Sequence, residues 1–479
     1  MSGDSSQVLP PHDLVALRQN RYPDPTEQAV IREAIAEAEA HLGDLYGSAG
    51  ERNVAQKLRS HIDVLSSQLA PIRRLPPEIL SSVFMAPTFP PVAPKGLQAV
   101  VGRALDPIVA VCSHWRATAL ATPEFWSTFS VSLSAKNEVS MDLLNLYLER
   151  SKSYPLSLRI FTRNFRRVHR DILTRLLSTS ERWSSLHLNF ETRLLPLFSS
   201  LRGRLPYLES LSLRGSTETV DPTAPTLVET TDAFELAPKL CALECFISME
   251  VVPPLPLIQL TSLSASRNAI SLANHCPELD TLYCTTQSTG PEVVTNASTI
   301  HASTAVLRTL TSPKLVFLRV VGVGSQWSQP EFSSFLQRSG CTACLHTLVL
   351  EEILMHANDI IALLPLLPAL RTLNLRKLRP YTITDAVLHA LTLITPSHAN
   401  NVLPELETLI ISGSYFFGNL FLLAMLESRA AQLRTVILEL REREREFDAP
   451  EMGRFRAFSA GGISISVKRW VGKGYVFLV

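Results

Sequence analysis

The residues best suited to chemistry in this chain are Cys341, Cys344 and His346, arranged Cys-Thr-Ala-Cys-Leu-His. Two thiolates and an imidazole this close are good zinc ligands, and a Cys-x-x-Cys pair can also cycle between dithiol and disulfide. A fourth ligand does not stand at the usual distance, and no strand-helix context supports a redox role. The pairs Cys241 with Cys245 and Cys276 with Cys284 belong to other parts of the chain. Small buried thiols are the expected reading for all of them. The sequence holds no Gly-x-Ser-x-Gly elbow, no Gly-x-x-x-x-Gly-Lys loop and no His-Glu-x-x-His, and Gly322-Val323-Gly324 lacks the third glycine of a dinucleotide fingerprint. The expectation is a chain that is not an enzyme, with no catalytic residues, metal or cofactor.

The balance of 46% hydrophobic and 19% charged residues over 479 positions suits a soluble protein with a large core and more than one domain. A formal net charge of +1 provides no footprint for nucleic acid or an anionic membrane. The basic cluster Arg163, Arg166, Arg167, His169 and Arg170 reads as a solvated helix face. The first residues lack a secretory pattern, and the apolar run Tyr415 to Leu426, interrupted by Gly418 and Asn419, suits a buried helix better than a membrane span. Seven cysteines, an odd number, imply reduced thiols and a cytoplasmic or nuclear location, where the sequon Asn296-Ala297-Ser298 would go unused.

These groups need elements to position them. Residues 1–25, rich in Pro, Ser and Asp, are expected to lack fixed structure. In 26–70, Ile31, Ile35, Ala38, Leu42 and Leu45 step by four and three, as do Val54, Leu58, Ile62, Leu65 and Leu69 after Gly43, Gly47 and Gly50. The phase slip predicts a kinked helix or a helical hairpin, packed on itself or its neighbour, with a coiled-coil dimer as the alternative.

Downstream, Leu75, Ile79, Leu80, Val83 and Phe84 recur at spacings that suggest one helical face, and Pro76 and Pro77 suit a first turn whose amides lack intrahelical partners. Val111, Trp115 and Ala119 repeat four apart. The order Leu-Pro-Pro-Glu-Ile-Leu, then Val-Cys-Ser-His-Trp-Arg at 111–116, then Pro-Glu-Phe-Trp at 123–126 resembles an F-box over residues 71–130. A Pro-rich segment at 87–103, including Pro87, Pro90, Pro91 and Pro94, departs from the usual short link. The resemblance implies docking to the Skp-type adaptor of a cullin-RING ubiquitin ligase. The matching positions are Leu75, Pro76, Pro77, Ile79, Leu80, Val83, Phe84, Val111, Cys112, Trp115, Arg116 and Trp126.

The C-terminal part repeats Leu-x-x-Leu-x-Leu, clearest at Leu208 to Leu213 and Leu370 to Leu375. The first position falls at Trp183, Leu208, Leu240, Leu260, Leu279, Leu315, Leu345, Leu370, Leu406 and Leu433, at intervals of 19 to 36 residues. Such a period predicts stacked strand-helix units, none of which closes a core alone. Pro206, Pro238, Pro277, Pro313, Pro368 and Pro404 stand two residues before a first Leu, and Ser328 with Glu331 has capping-box spacing. With the F-box-like segment, the pattern resembles fungal, basidiomycete-type F-box proteins with leucine-rich repeats. The expected fold is therefore α/β: helices and a helical module, then an irregular solenoid over 131–479 with parallel strands on a concave face and helices on a convex one. Alternating Arg and Glu at 441–446 suit an exposed helix or linker, and Ile463, Ile465 and Val467 a last, capping strand.

Side chains between the inward leucines point to the opposite face of each strand. Among them Phe246, Tyr283, Phe317, Arg319 and Arg376 are the expected contacts for a protein target, because aromatic and Arg side chains dominate interface energetics. The functional expectation is a substrate-recruiting ligase subunit. A protein-interaction scaffold whose F-box-like segment merely caps the repeats is the alternative.

Overall fold

The computed structural model describes residues 20–477, apart from 44–48, 86–107, 134–139, 163–164, 217–230, 248–251, 267–269, 285–291, 380, 395–400, 414–415, 441–446 and 472–473. The Pro-rich segment 87–103, the alternating run 441–446 and nearly all of 1–25 therefore lie outside the described residues. Among the described residues no helix is long and apolar enough to cross a membrane.

The chain separates into two compact units, Met1–Leu176 and Leu177–Val479. The first opens with two packed helices, α1 (Pro25–Gly43) and α2 (Ala49–Gln68). Their stripe is thinly used: Ala38 and Leu58 are buried, whereas Val54 is exposed. Helices α3 (Pro77–Met85), α4 (Ser113–Ala121) and α5 (Glu124–Ser127) follow, then strand β1 (Thr128–Ser132), helix α6 (Met141–Arg150), strand β2 (Leu156–Phe161) and helix α7 (Arg170–Leu177). β1 and β2 pair in parallel, with Phe129 opposite Leu158 and Val131 opposite Ile160.

The unit boundary thus falls well after residue 130, where the helical module was expected to end. The cause is Trp126. Its buried ring packs edge-on against Tyr147 at 5.0 Å and lies under the Arg150 guanidinium at 4.4 Å. The Pro-Glu-Phe-Trp segment is thereby fixed to α6, and the strand it feeds begins only two residues later. The basic cluster lies on a 3-10 turn, Arg167–His169, that leads into α7 at Arg170: Arg166, Arg167 and Arg170 are exposed, while His169 is buried and accepts a hydrogen bond from the Arg166 amide at 3.0 Å. Arg163 lies outside the described residues.

In the second unit the strands are β3 (Trp183–Glu191), β4 (Ser210–Ser216), β5 (Ala242–Phe246), β6 (Ser262–Ala265), β7 (Thr281–Cys284), a short β8 (Val293–Val294), β9 (Thr299–Ser303), a short β10 (Leu310–Thr311) and β11 (Phe317–Val321). From there strands alternate with helices: α8 (Gln329–Ser339), β12 (Thr347–Glu351), α9 (Ala357–Leu363), β13 (Thr372–Leu378), α10 (Asp385–Leu391), β14 (Thr408–Gly413), α11 (Asn419–Ser428), β15 (Thr435–Leu440), α12 (Ala449–Ala460), β16 (Ser464–Val471) and β17 (Gly474–Phe477). From β3 to β16 the strands lie in chain order and pair in parallel, with β8 and β10 forming a separate pair; β17 returns antiparallel on β16. The stacked α/β arrangement is compatible with a solenoid.

Every first-position residue of the repeat is buried, from Trp183 to Leu433. The prolines two residues earlier have a mechanical role. Pro206, Pro238, Pro277, Pro368 and Pro404 occupy the second position of a tight turn closed by the first Leu, as in Leu208 N–H to Leu205 O at 3.4 Å and Leu370 N–H to Leu367 O at 3.2 Å. Proline's fixed φ suits that position. The 36-residue interval between Leu279 and Leu315 proves to be two units. The second is built on Ala297, Ile300 and Ala302, all fully buried, and carries β9.

Ser328 precedes α8 without a side-chain capping bond, and the Glu331 carboxylate accepts from Arg308 Nε at 2.6 Å instead of closing a capping box. Proline at the start of α8 supplies a turn that needs no amide there. The run before Leu426 forms α11 with Leu422, Leu423, Met425 and Leu426 buried, as expected.

Candidate functional site

In the first unit, α3 is short and its start is set by proline. Pro76 O accepts from Leu80 N at 2.9 Å, so Pro77 occupies a position whose missing N–H removes no helical bond. Positions 79 and 83 share one side of the helix and 80 and 84 another, about 100° away. The stripe expected on one face is therefore split. Leu80 and Phe84 are buried, and the Phe84 ring meets Trp115 at 4.8 Å and Phe125 at 6.3 Å. Ile79 and Val83 remain 50% and 45% exposed.

Cys112 caps α4: its sulfur accepts from Trp115 N at 3.4 Å, and α4 begins only at Ser113. Val111 therefore does not lie on the same helical stripe as Trp115 and Ala119, contrary to the four-residue spacing; it precedes the helix and is 56% exposed. Of the positions carried by the F-box resemblance, Leu80, Phe84, Cys112 and Trp126 are interior and cannot touch a partner directly. Leu75 and Trp115 are half-buried, and Pro76, Pro77, Ile79, Val83, Val111 and Arg116 are exposed. The exposed apolar side chains of this module are Ile79, Val83 and Val111, together with Met85, which was not among the expected positions.

In the second unit the alternation along the strands holds closely. Burial in β5, β7 and β11 switches residue by residue, leaving Phe246, Phe317 and Arg319 half-buried and Tyr283 exposed on the open face. Strand register then decides which of these meet. Tyr283 stands opposite His301 of β9, and the two rings stack at 4.4 Å with planes 14° apart. His301 in turn meets Phe317 at 5.3 Å. Burial, and then the neighbouring Arg319 charge, hold the His301 imidazole below its ordinary range, so the ladder is neutral at pH 7. Phe246 lies apart from this ladder, under the guanidinium of Arg214 at 4.5 Å.

Beside the ladder is a group of ion pairs. Glu351, on β12, accepts from Arg319 on one side and lies 3.1 Å from Lys377 Nζ on the other. Burial alone would raise this carboxyl; the hydrogen bonds from Arg319 and Lys377 outweigh it and hold the pKa below the usual glutamate range. Lys377 reaches inward because β13 carries an irregularity between Arg376 and Leu378, with Lys377 at φ 51°. Its ammonium also meets Glu352, another left-handed residue at φ 57°, at 2.7 Å. Two non-glycine residues in this conformation, tied to each other, mark a locally strained strand end. Gly413 lies against it, where a Cβ would come within 3.3 Å of the Lys377 backbone.

Arg376 has a different situation. Its register partner is Glu351, which is already held, and among the described residues Arg376 forms no ion pair. Its Nε is buried and unpartnered, as is Oδ1 of Asn374 two residues earlier. The structure thus gathers Tyr283, Phe317 and Arg319 around His301 and Glu351, and leaves Phe246 and Arg376 at separate places on the sheet. Neither His301 nor Glu351 was among the expected contacts. His301 was hidden by the unrecognised unit at Ala297, whereas Glu351 follows directly from the alternation after Leu345.

The sulfur and imidazole groups at 341–346 do not converge. Cys341 is buried, with its thiol pushed up to about 11 by burial, whereas Cys344 is exposed. Burial likewise raises Cys245 and Cys276 to about 11 and Cys284 to about 12. Among the described residues no three His, Cys, Asp or Glu side chains gather in a metal-binding arrangement. Comparison with known proteins finds no family model that matches the chain and no curated protein that matches its sequence.

Proposed function

We propose that this chain is a substrate-recruiting subunit of a Skp-cullin-F-box ubiquitin ligase, acting in the cytoplasm or nucleus. The supporting observation is the division of α3: one side is locked into the module by Leu80 and Phe84, and the other presents Ile79 and Val83 to solvent. An apolar set left outside a core is a docking surface in search of a partner. A Skp-type adaptor would cover Ile79, Val83, Met85 and Val111, with Pro76, Pro77 and Arg116 at the rim. Through the adaptor the chain would join a cullin-RING assembly.

The open face of the second unit then holds the client. Its Tyr283, His301 and Phe317 ladder supplies rigid aromatic area, which dominates interface energetics, and Arg319 is fixed by Glu351 rather than free to search. Under this reading the chain makes and breaks no bonds, uses no metal or cofactor and contacts neither nucleic acid nor membrane. It raises the effective concentration of a client near the transferring enzyme.

The test is co-elution in gel filtration of the purified chain with the Skp-type adaptor and cullin. A stable complex is the expected result; separate elution at micromolar concentrations would instead favour a scaffold in which the helical module only caps the repeats.

A further inference from the structure

We infer that the open face between β7 and β13 takes an extended acidic peptide, with an aromatic or large apolar side chain on the Tyr283–His301–Phe317 ladder and a carboxylate four residues away on Arg376. The inference rests on the client-binding reading and specifies the chemistry of that client.

Charge on these strands is unbalanced in a particular place. Arg319 and Lys377 share Glu351, and Lys377 also holds Glu352, so both carboxylates at this end of the sheet are engaged. Among the described residues Arg376 remains without an anion: level with it stand Glu351, already taken, on β12 and Ser412 on β14. The unpartnered Arg376 Nε and Asn374 Oδ1 show that this strand, alone among those flanking it, has polar atoms with unmet hydrogen-bonding capacity on the open face. A buried guanidinium nitrogen left unpaired is costly, and a ligand carboxylate that draws the side chain outward relieves the cost and forms a charge-assisted bond.

Geometry fixes the spacing. His301 is level with Arg319, Val349 and Asn374, so Arg376 lies three strand steps across, β9 to β11 to β12 to β13, and two residues further along. At about 4.8 Å per step and about 3.3 Å per residue that is roughly 16 Å, of which an extended peptide covers about 13 Å in four residues and the side chains reach the rest. The aromatic ladder comes first and the cation last, so the recognised pattern is an apolar anchor, three intervening residues and Asp or Glu. Arg319 cannot serve as the anion site without giving up Glu351, which would then keep only Lys377.

Fluorescence anisotropy on the full chain tests this with short labelled peptides carrying Trp and Glu four residues apart, and matched versions with Lys or phosphoserine in place of Glu. The Glu peptide is expected to bind at least about tenfold tighter than the Lys peptide, a difference of about 1.4 kcal/mol. Arg376→Glu should reverse that preference. Arg376→Gln, which keeps most of the side-chain volume, should remove it with the melting temperature unchanged. Equal affinity for the Glu and Lys peptides, no binding by either, or binding only of the phosphoserine peptide would overturn the inference. Adaptor co-elution of the same variants is a separate readout: it is expected to persist throughout, and its loss would count against the ligase reading instead.

Discussion

Helix α3 and strand β13 solve the same problem, presenting one face inward and one outward, with opposite results. In β13 every large aliphatic side chain is buried: Leu373 and Leu375 are fully enclosed and Leu378 nearly so, and the outward positions are Thr372, Asn374 and Arg376. In α3 two outward positions are as apolar as the inward ones, Ile79 and Val83 beside Leu80 and Phe84, although Glu78 and Ser82 are exposed as well. A strand whose outer face is polar has spent its apolar residues on its own core. A helix that is apolar on two sides has more than its core uses, and the proposed docking rests on that excess. Outer-face chemistry in the repeat unit is instead carried by aromatic and charged groups, with Tyr283 stacked on His301 and Arg319 paired with Glu351, while Arg376 forms no ion pair among the described residues.

The comparison breaks if the inner faces prove dispensable. Leu373→Ala should cost about 3–5 kcal/mol in urea unfolding, since it opens a cavity between parallel strands with no room to collapse. Leu80→Ala should cost about 2–4 kcal/mol, because it removes the contact that seats α3, while Ile79→Ala changes stability by less than about 0.5 kcal/mol. Equal effects of the two α3 substitutions would mean that Ile79 is covered and the helix has no free side.

Smaller effects sharpen the polar side of the comparison. Glu351→Gln should destabilise by about 2 kcal/mol at neutral pH, because it leaves Arg319 and Lys377 around a neutral group in a half-buried site. The Glu351 pKa is lowered in the folded protein, so its contribution is present above the ordinary glutamate range and is lost as pH falls through the lowered value. The variant should accordingly show a shallower loss of stability on the acid side, measured by thermal melts across pH. Tyr283→Ala should have a smaller effect on folding than Glu351→Gln, within about 1 kcal/mol, since it removes a stacked but solvent-exposed ring.

Much of the fold is legible in the leucine spacing. Period and alternation locate nearly every strand of the second unit, because each unit must bury the same three positions against its neighbours. The strand β9 escaped because Ala297 and Ala302 fill positions where a pattern keyed to leucine finds nothing, although both are fully buried. With β9 went His301, the centre of the aromatic ladder. In α3 the residue types were readable but the faces were not: two pairs four apart, one residue out of phase, look like one broad stripe until something packs against half of it. Lys377 could not have been read at all. Its place among the ion pairs depends on a strand irregularity and a left-handed backbone that no spacing rule encodes.

The most direct test of the divided helix is adaptor binding by the double variant Ile79→Asp with Val83→Asp, measured by calorimetric titration beside the unaltered chain. Both positions are solvent-facing, so the melting temperature should stay within a few degrees while adaptor affinity falls by about a hundredfold or more. Undiminished adaptor binding by a folded double variant would contradict the assignment of this face.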